Sequence, residues 1–496
     1  MSTAILRLAG VCLLLAVATG SVRAESGFLR THQSISQGGQ FAGIGLAVDP
    51  SSGDLFLSGD YSGASVFAGQ RLNSQSAGDA FVMRLAPTLD SRWVRQIRGG
   101  GANAVRSLAL DPQENSYATG TATTAALIEG GAQGDASIEA SGTFMFVVKY
   151  DGQGNRVWHR WATSEKEYVH GSSVGVDGAG NVYVAGWFAG THATFGSQIV
   201  SGGGGLFTPF VAKYDAQGTL QWVEHAMIAE AARINAMAVH ADGTLTVAGD
   251  FSGSIVLDTI MLTSSGQTDL FVARYDGDGQ VDWARRAGGP GPDTAHGLAA
   301  LASGGVLVTG EFTGSAVFGE ETVTAAGDSD AVVASYEAFD GRVSWVKAMG
   351  GPGRDAARAA AVHYTGQIAV AGEFSDDLQL GDQVLTSRGG TDVFVTFHEP
   401  SGRIVAGHGG GGAFNDVGRT VVWQGQTLIL CGGFTGAAVF GDAHPGTHSE
   451  FEAGEMFLSF LGEQPLPGDV PGDLSRNGQL GLEDAIFILR LLSTGG

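Results

Sequence analysis

The residues most able to do chemistry lie near the C-terminus, in "GDLSRNGQLGLEDAIFILRLL", Gly472 to Leu492. Oxygen-bearing side chains recur at every second position: Asp473, Ser475 and Asn477. Gly478 then permits a sharp turn, Gln479 offers its backbone carbonyl, and Asp484 closes a twelve-residue span. A hard divalent cation such as Ca²⁺ takes six to eight oxygen ligands, and this order of donors suits it. Asp473, Ser475, Asn477, Gln479 and Asp484 are therefore the expected metal ligands. Neutral Ser475 and Asn477 keep the site's charge low, which implies an affinity of roughly 10⁻⁴ to 10⁻³ M, the range of extracellular modules. The run Ala485–Leu492 reads as one helix, with Asp484 at the positive end of its dipole.

The elements before this loop are of another kind. Of 496 residues, 80 are glycine and 12 proline, 43% are hydrophobic and 16% charged. That composition supports a folded core with many tight turns and excludes a globally disordered chain. The formal net charge of −23 argues against a nucleic-acid binder, which needs a basic footprint for phosphates. Arg7, an apolar run from Leu8 and the small-residue pattern Val22-Arg23-Ala24 predict a signal peptide over residues 1–24, cut after Ala24. Export would remove Cys12, leave Cys431 alone and rule out an internal disulfide. No later stretch is long and apolar enough to read as a transmembrane segment.

Self-similarity organises residues 25–462. "FVARYDGDGQVDWARRAGG" from Phe271 recurs as "FVVKYDGQGNRVWHRWA" from Phe146 and "FVAKYDAQGTLQWVEHA" from Phe210. Weaker copies begin at Phe81, Val332, Phe394 and Phe457, a period of about 62 residues. A second landmark, an apolar strand ending in glycine, falls at Gly59, Gly120, Gly186, Gly249, Gly310, Gly372 and Gly432. Four strand signals per unit predict an all-β, seven-bladed β-propeller, with an added outer hairpin in the longer loops. Residues 27–38 stand where the last unit lacks a strand and are expected to close the ring, because closure removes exposed sheet edges. Trp93, Trp158, Trp222, Trp283 and Trp345 read as core between blades, and Cys431 as a small buried filler. "DGDG" at Asp276–Gly279 reads as a hairpin turn.

The units resemble the SBBP family of β-propeller repeats, whose pattern runs near "DxFVAKYDxxGNxxWxxxxGG…GIAVDxxGNVYVTGxFxG". "DLFVARYDGDGQVDWARRAGG" from Asp269 and "SSVGVDGAGNVYVAGWFAG" from Ser172 carry the likeness, which covers roughly residues 40 to 462. It departs in the second unit and in the sixth, where "RIVAGHGG" has lost the tryptophan. The family implies an exported or surface propeller without one set activity. The tail resembles a dockerin-type calcium loop, an EF-hand relative, although dockerins carry two loop–helix halves and this chain shows one. That resemblance implies Ca²⁺ as the cofactor and a cohesin-like or other surface protein as the partner of residues 472–496. Residues 463–471, "EQPLPGDVP", form a linker.

Other motifs carry less. Asp60, Asp250, Glu311 and Glu373 each follow a strand-end glycine; they read as solvated strand ends, or else as a ring holding a cation. The histidines lack metal spacing, the Gly202–Gly205 and Gly409–Gly412 runs lack a phosphate-loop ending, and no arginine triad stands out. The expectation is an exported, non-enzymatic propeller scaffold binding a protein or glycan on one face, with no catalytic residues and no nucleic acid. A polysaccharide-active hydrolase or lyase on the same fold is the first alternative, and a structural surface protein the second.

Overall fold

The computed structural model describes residues 26–37, 40–74, 76–202, 206–228, 230–440 and 454–463. Two compact units divide the chain. Gly27–Gly462 carries the fold; of the other, Met1–Ser26 with Glu463–Gly496, nearly all lies outside the described residues, and with it the signal peptide, most of the linker and the calcium loop with its helix. The one helical segment among the described residues is the 3₁₀ turn Gly131–Gln133, and no described helix is long and apolar enough to cross a membrane.

The architecture is an all-β propeller. In the fourth repeat, an innermost strand Ala231–Val239 pairs antiparallel with Leu245–Ser252, which pairs with Asp269–Tyr275, which pairs with Val281–Gly288. The same order recurs along the chain. The innermost strands are Phe41–Val48, Ala104–Leu110, Val169–Val176, Ala231–Val239, Thr294–Ala300, Asp355–Val362 and Val417–Gln424. Each packs against the next, and the last packs against the first.

Repeats and sheets do not correspond one to one. Among the described residues the pairing gives ten sheets, because the outer hairpin of a repeat does not extend that repeat's own sheet. His192–Phe195, for example, pairs with Arg156–Ser164 of the preceding sheet. Three other hairpins stand in small sheets of their own.

Ser26–Gln33 lies beside Gly454–Glu463 in the sheet that also holds Thr427–Thr435 and Val417–Gln424. The N-terminal strand thus joins the final sheet, as expected from ring closure. Ser34 fixes the seam: its amide donates to the Met456 carbonyl at 2.9 Å, its hydroxyl donates to Glu455 Oε2 at 2.5 Å, and the Met456 amide donates back to Ser34 Oγ at 2.9 Å. Apolar packing continues across it, since Phe41, Leu57 and Phe81 share one core with Ile429, Cys431, Met456 and Leu458. Cys431 is fully buried there, and burial pushes its thiol up to about 12.

The tryptophans explain the period. Each indole N–H donates to a turn carbonyl of the next repeat: Trp93 to Gly152, Trp158 to Ala216, Trp222 to Gly277, Trp283 to Ala338 and Trp345 to Pro400, at 2.9–3.4 Å. The ring lies flat against a turn glycine in the left-handed region; a Cβ at Gly341 (φ 67°) would sit 2.3 Å from Trp283 Cε3. Trp93, Trp158 and Trp283 are buried, whereas Trp222 and Trp345 are half-buried. The "DGDG" segment is such a turn, with Asp276 Oδ1 accepting the amides of Asp278 and Gln280.

Candidate functional site

The strand-end glycine is a steric requirement with a consequence at the axis. A Cβ at Gly59, Gly120, Gly186, Gly249, Gly310, Gly372 or Gly432 would lie 1.8–2.2 Å from a backbone carbonyl of the innermost strand. That carbonyl is close because the innermost strand bulges opposite every one of these glycines. A bulge leaves one residue unpaired and re-aims its side chain. The seven bulged residues are Ile44, Arg106, Ser172, Asn235, His296, Arg358 and Arg419. The residues after the glycines are Asp60, Thr121, Trp187, Asp250, Glu311, Glu373 and Gly433. Together they form a collar where the innermost strands converge.

Asp250, Glu311 and Glu373 are largely buried and paired rather than solvated strand ends, which corrects that reading of them; Asp60 is half-exposed, and basic partners facing all four argue against a free cation ring. Asp60 faces Arg106 at 3.9 Å. Asp250 accepts from Asn235 Nδ2 at 2.8 Å and faces Arg233 at 3.9 Å. Glu311 accepts from Arg354 at 2.9 and 3.0 Å and lies 3.1 Å from His296 Nε2. Glu373 is bonded by Arg358, with Arg354 at 4.0 Å. The electrostatics follow the partners. Burial opposes ionisation of Glu311, but the hydrogen bonds from His296 and Arg354 outweigh it and hold the carboxyl at about 2. At Asp60 and Asp250 burial wins, and both are raised despite their basic neighbours. Burial and the neighbouring Arg106 and Arg233 bring His170 down to about 4, so it is neutral at pH 7.

Beside the acids stands an aromatic cluster on the third and fourth repeats. Trp187 stacks with His170 (centroids 5.1 Å apart, planes 6° apart) and with Tyr168 (5.3 Å, 21°), and meets Phe207 edge-on at 4.6 Å. Arg233 lies over Phe207 at 4.4 Å and over Trp187 at 5.3 Å, within cation–π range. Tyr168 and the adjoining Leu206 are exposed, so the cluster presents apolar area beside charge.

Close to collar positions, on or beside the same strands, three pairs of aspartates are buried: Asp269 with Asp293, Asp330 with Asp355, and Asp392 with Asp416. Burial, and repulsion within each pair, raise Asp293 to about 6 and Asp355 and Asp416 to about 7. Oδ1 of Asp269, Asp355 and Asp392 has no hydrogen-bond partner. In the first repeat the second position is Asn103, whose amide donates to Asp79 Oδ1 at 3.2 Å.

The expected metal ligands Asp473, Ser475, Asn477, Gln479 and Asp484 lie outside the described residues. Among the described residues no group of three or more His, Cys, Asp or Glu is placed to hold a metal. The basic half of the collar was missed from sequence because Arg106, Arg358 and Arg419 sit in dissimilar strings, "AVRSLAL", "DAARAAAV" and "VGRTVVWQ". The signal that finds them is positional: each is the bulged residue.

No family model matches the chain, so the repeat-family resemblance remains an expectation. The regulatory protein FlaEY of Caulobacter vibrioides is 36% identical over 133 residues, a stretch that is 26% of this chain and 14% of that protein. Among solved structures, the chain is similar to the quinohemoprotein alcohol dehydrogenase ADHIIG of Pseudomonas putida HK5 (9% identity, TM-score 0.41, 90% of this chain and 77% of that one). It is similar also to BamB of Moraxella catarrhalis (12%, 0.35, 88% and 99%) and to the Pan2 WD40 domain of Neurospora crassa (11%, 0.33, 69% and 94%). These likenesses are too low to bear on activity; the propeller rests on the strand pairing itself.

Proposed function

We propose that the chain is an exported, non-enzymatic propeller scaffold that binds a protein or carbohydrate ligand at the collar. The tail residues Asp473, Ser475, Asn477, Gln479 and Asp484 would bind Ca²⁺ and attach the scaffold to a cohesin-like or other surface partner. In this reading the seven sets of four antiparallel strands are the blades, and the small sheets are additions to their outer edges. The observation that carries it is the cluster of Tyr168, Trp187, Phe207 and Arg233 beside a band of charged side chains supplied by different repeats. Aromatic faces next to paired charges suit recognition, in which a few buried aromatic and arginine contacts supply most of the affinity.

The test is a pull-down from the producing organism's surface and secreted fractions. It compares the mature chain, a chain ending at Pro465, and Tyr168→Ala with Phe207→Ala, each with calcium and with chelator. Capture lost in the aromatic variant assigns binding to the collar. Capture lost on truncation or chelation assigns attachment to the tail. Equal capture by all three chains, with and without calcium, overturns both assignments.

A further inference from the structure

The collar carries one more positive charge than its internal pairs use. Arg106 has Asp60, Arg358 has Glu373, and Arg354 has Glu311. Burial and Arg358 keep His296 in its neutral form's favour, lowering it against the pull of Glu311. Arg419 remains. Its guanidinium makes no hydrogen bond or ion pair among the described residues. Its electrostatic neighbours are Glu373 and Asp60, which already serve other arginines, and Arg358 and Arg106, which repel it. Arg419 is solvent-exposed, yet desolvation is the main influence lowering its pKa. Both hold for a side chain that water reaches within walls of protein.

Its surroundings are built by position. Arg358, Arg419 and Arg106 are the bulged residues of three innermost strands, Asp355–Val362, Val417–Gln424 and Ala104–Leu110. The strand between the last two, Phe41–Val48, places Ile44 at its bulge, a side chain with no hydrogen-bonding group to satisfy either arginine. Arg106 is itself held only at 3.9 Å by Asp60, beyond hydrogen-bond distance. Two guanidinium groups with free N–H donors therefore stand on either side of Ile44 and Asp60, with that one carboxyl between them, in a chain whose net charge is −23. Guanidinium forks match planar oxyanions in geometry as well as charge.

We infer that Arg419 and Arg106, with Arg358 behind them, form an oxyanion subsite that takes a carboxylate or sulfate group of an acidic ligand. This names the ligand class for the binding reading above, and rests on it for the view that the collar binds ligand at all.

The probes are sodium sulfate and sodium glucuronate, titrated into the mature full-length protein by calorimetry at constant ionic strength, with chloride as the reference salt. Arg419→Gln and Arg106→Gln are the site variants. Arg403→Gln, at an exposed arginine paired with Glu399, is the control. Saturable binding by wild type and control, weakened at least tenfold in both site variants, is the expected result; the stronger of the two anions identifies the group. In chloride, Arg419→Gln is expected to melt no lower than wild type, because it removes an unpaired, partly desolvated charge, whereas a structural arginine would lower it. No saturable binding by wild type, or equal binding by Arg419→Gln, overturns the subsite. If anion binding fails but Tyr168→Ala with Phe207→Ala still abolishes capture, only the subsite is wrong. If anions bind at Arg419 while those aromatic changes leave capture intact, the subsite stands and the wider reading fails.

Discussion

Asp392→Asn should stabilise the protein at pH 8 and leave it unchanged at pH 5. Asp392 and Asp416 are both fully buried. A Cβ at Gly411 would lie 2.3 Å from Asp392 Oδ1 and 2.8 Å from Asp416 Oδ2, so these oxygens face one small space. Asp416 is otherwise well served, accepting the amides of Gly412 at 2.6 Å and Thr435 at 2.9 Å. Asp392 Oδ2 accepts the Arg388 amide at 2.9 Å, while its Oδ1 has no partner. Two carboxylates so placed share a proton more readily than they both ionise.

Burial, and the charge of Asp392, raise Asp416 from 3.8 to about 7. Between those values the folded state holds a proton that the unfolded state has released, so stability falls as pH rises through that window. At about 1.36 kcal/mol per pH unit the full loss is roughly 4 kcal/mol, complete near pH 8. An asparagine keeps the acceptor for Arg388 and puts an N–H where Oδ1 faces Asp416, an amide–carboxylate pair like that of Asn103 with Asp79 in the first repeat, with the two positions exchanged. It removes the repulsion but not the burial, so the gain is about 2 kcal/mol at pH 8, a part of the total. At pH 5 the shared proton already does this work and the gain is near zero. Thermal unfolding at the two pH values reads it as a rise of about 2–4 °C at pH 8 alone. A lower melting temperature at pH 8, or the same shift at both pH values, refutes the shared-proton account.

Deleting residues 25–38 should lower the melting temperature by far more than Ser34→Ala, which removes only the hydroxyl bonds to Glu455 and Met456 at a cost of about 1–3 kcal/mol; an unchanged melting temperature on deletion would show that the seam does not matter. Gly341→Ala, at φ 67° and against Trp283, should cost about 2–4 kcal/mol in chemical denaturation, from left-handed strain plus overpacking, whereas Gly314→Ala, at φ 61° with nothing near its Cβ, should cost only the strain. Glu311 is held at about 2, so its contribution is present above its unfolded value near 4.5 and is lost as pH falls toward 2; Glu311→Gln should therefore flatten the acid limb of the stability profile between those values. Calcium titrated into the mature chain should give a saturable signal at roughly 10⁻⁴ to 10⁻³ M, absent in Asp473→Ala with Asp484→Ala; identical titrations would remove the tail from the account.

Local chemistry made much of the body legible. The repeat period, the apolar strands, the turn aspartates and the tryptophans are written in the chain because each acts within one repeat or on the next. Even the strand-end glycine was visible, though its cause was not: the contact that excludes a Cβ at Gly249 comes from Arg233 of the paired strand. The collar was not legible. Arg106, Arg358 and Arg419 are far apart in sequence and share no motif; a bulge in each of three strands, and closure of the last strand onto the first, place them together. The acids beside them misled for the same reason, since whether Glu311 is solvated or paired depends on Arg354 and His296, from other strands and loops. Residue identity set what each repeat would build, while the registration of one repeat against another set which charges would meet, and only the tertiary structure carries that registration.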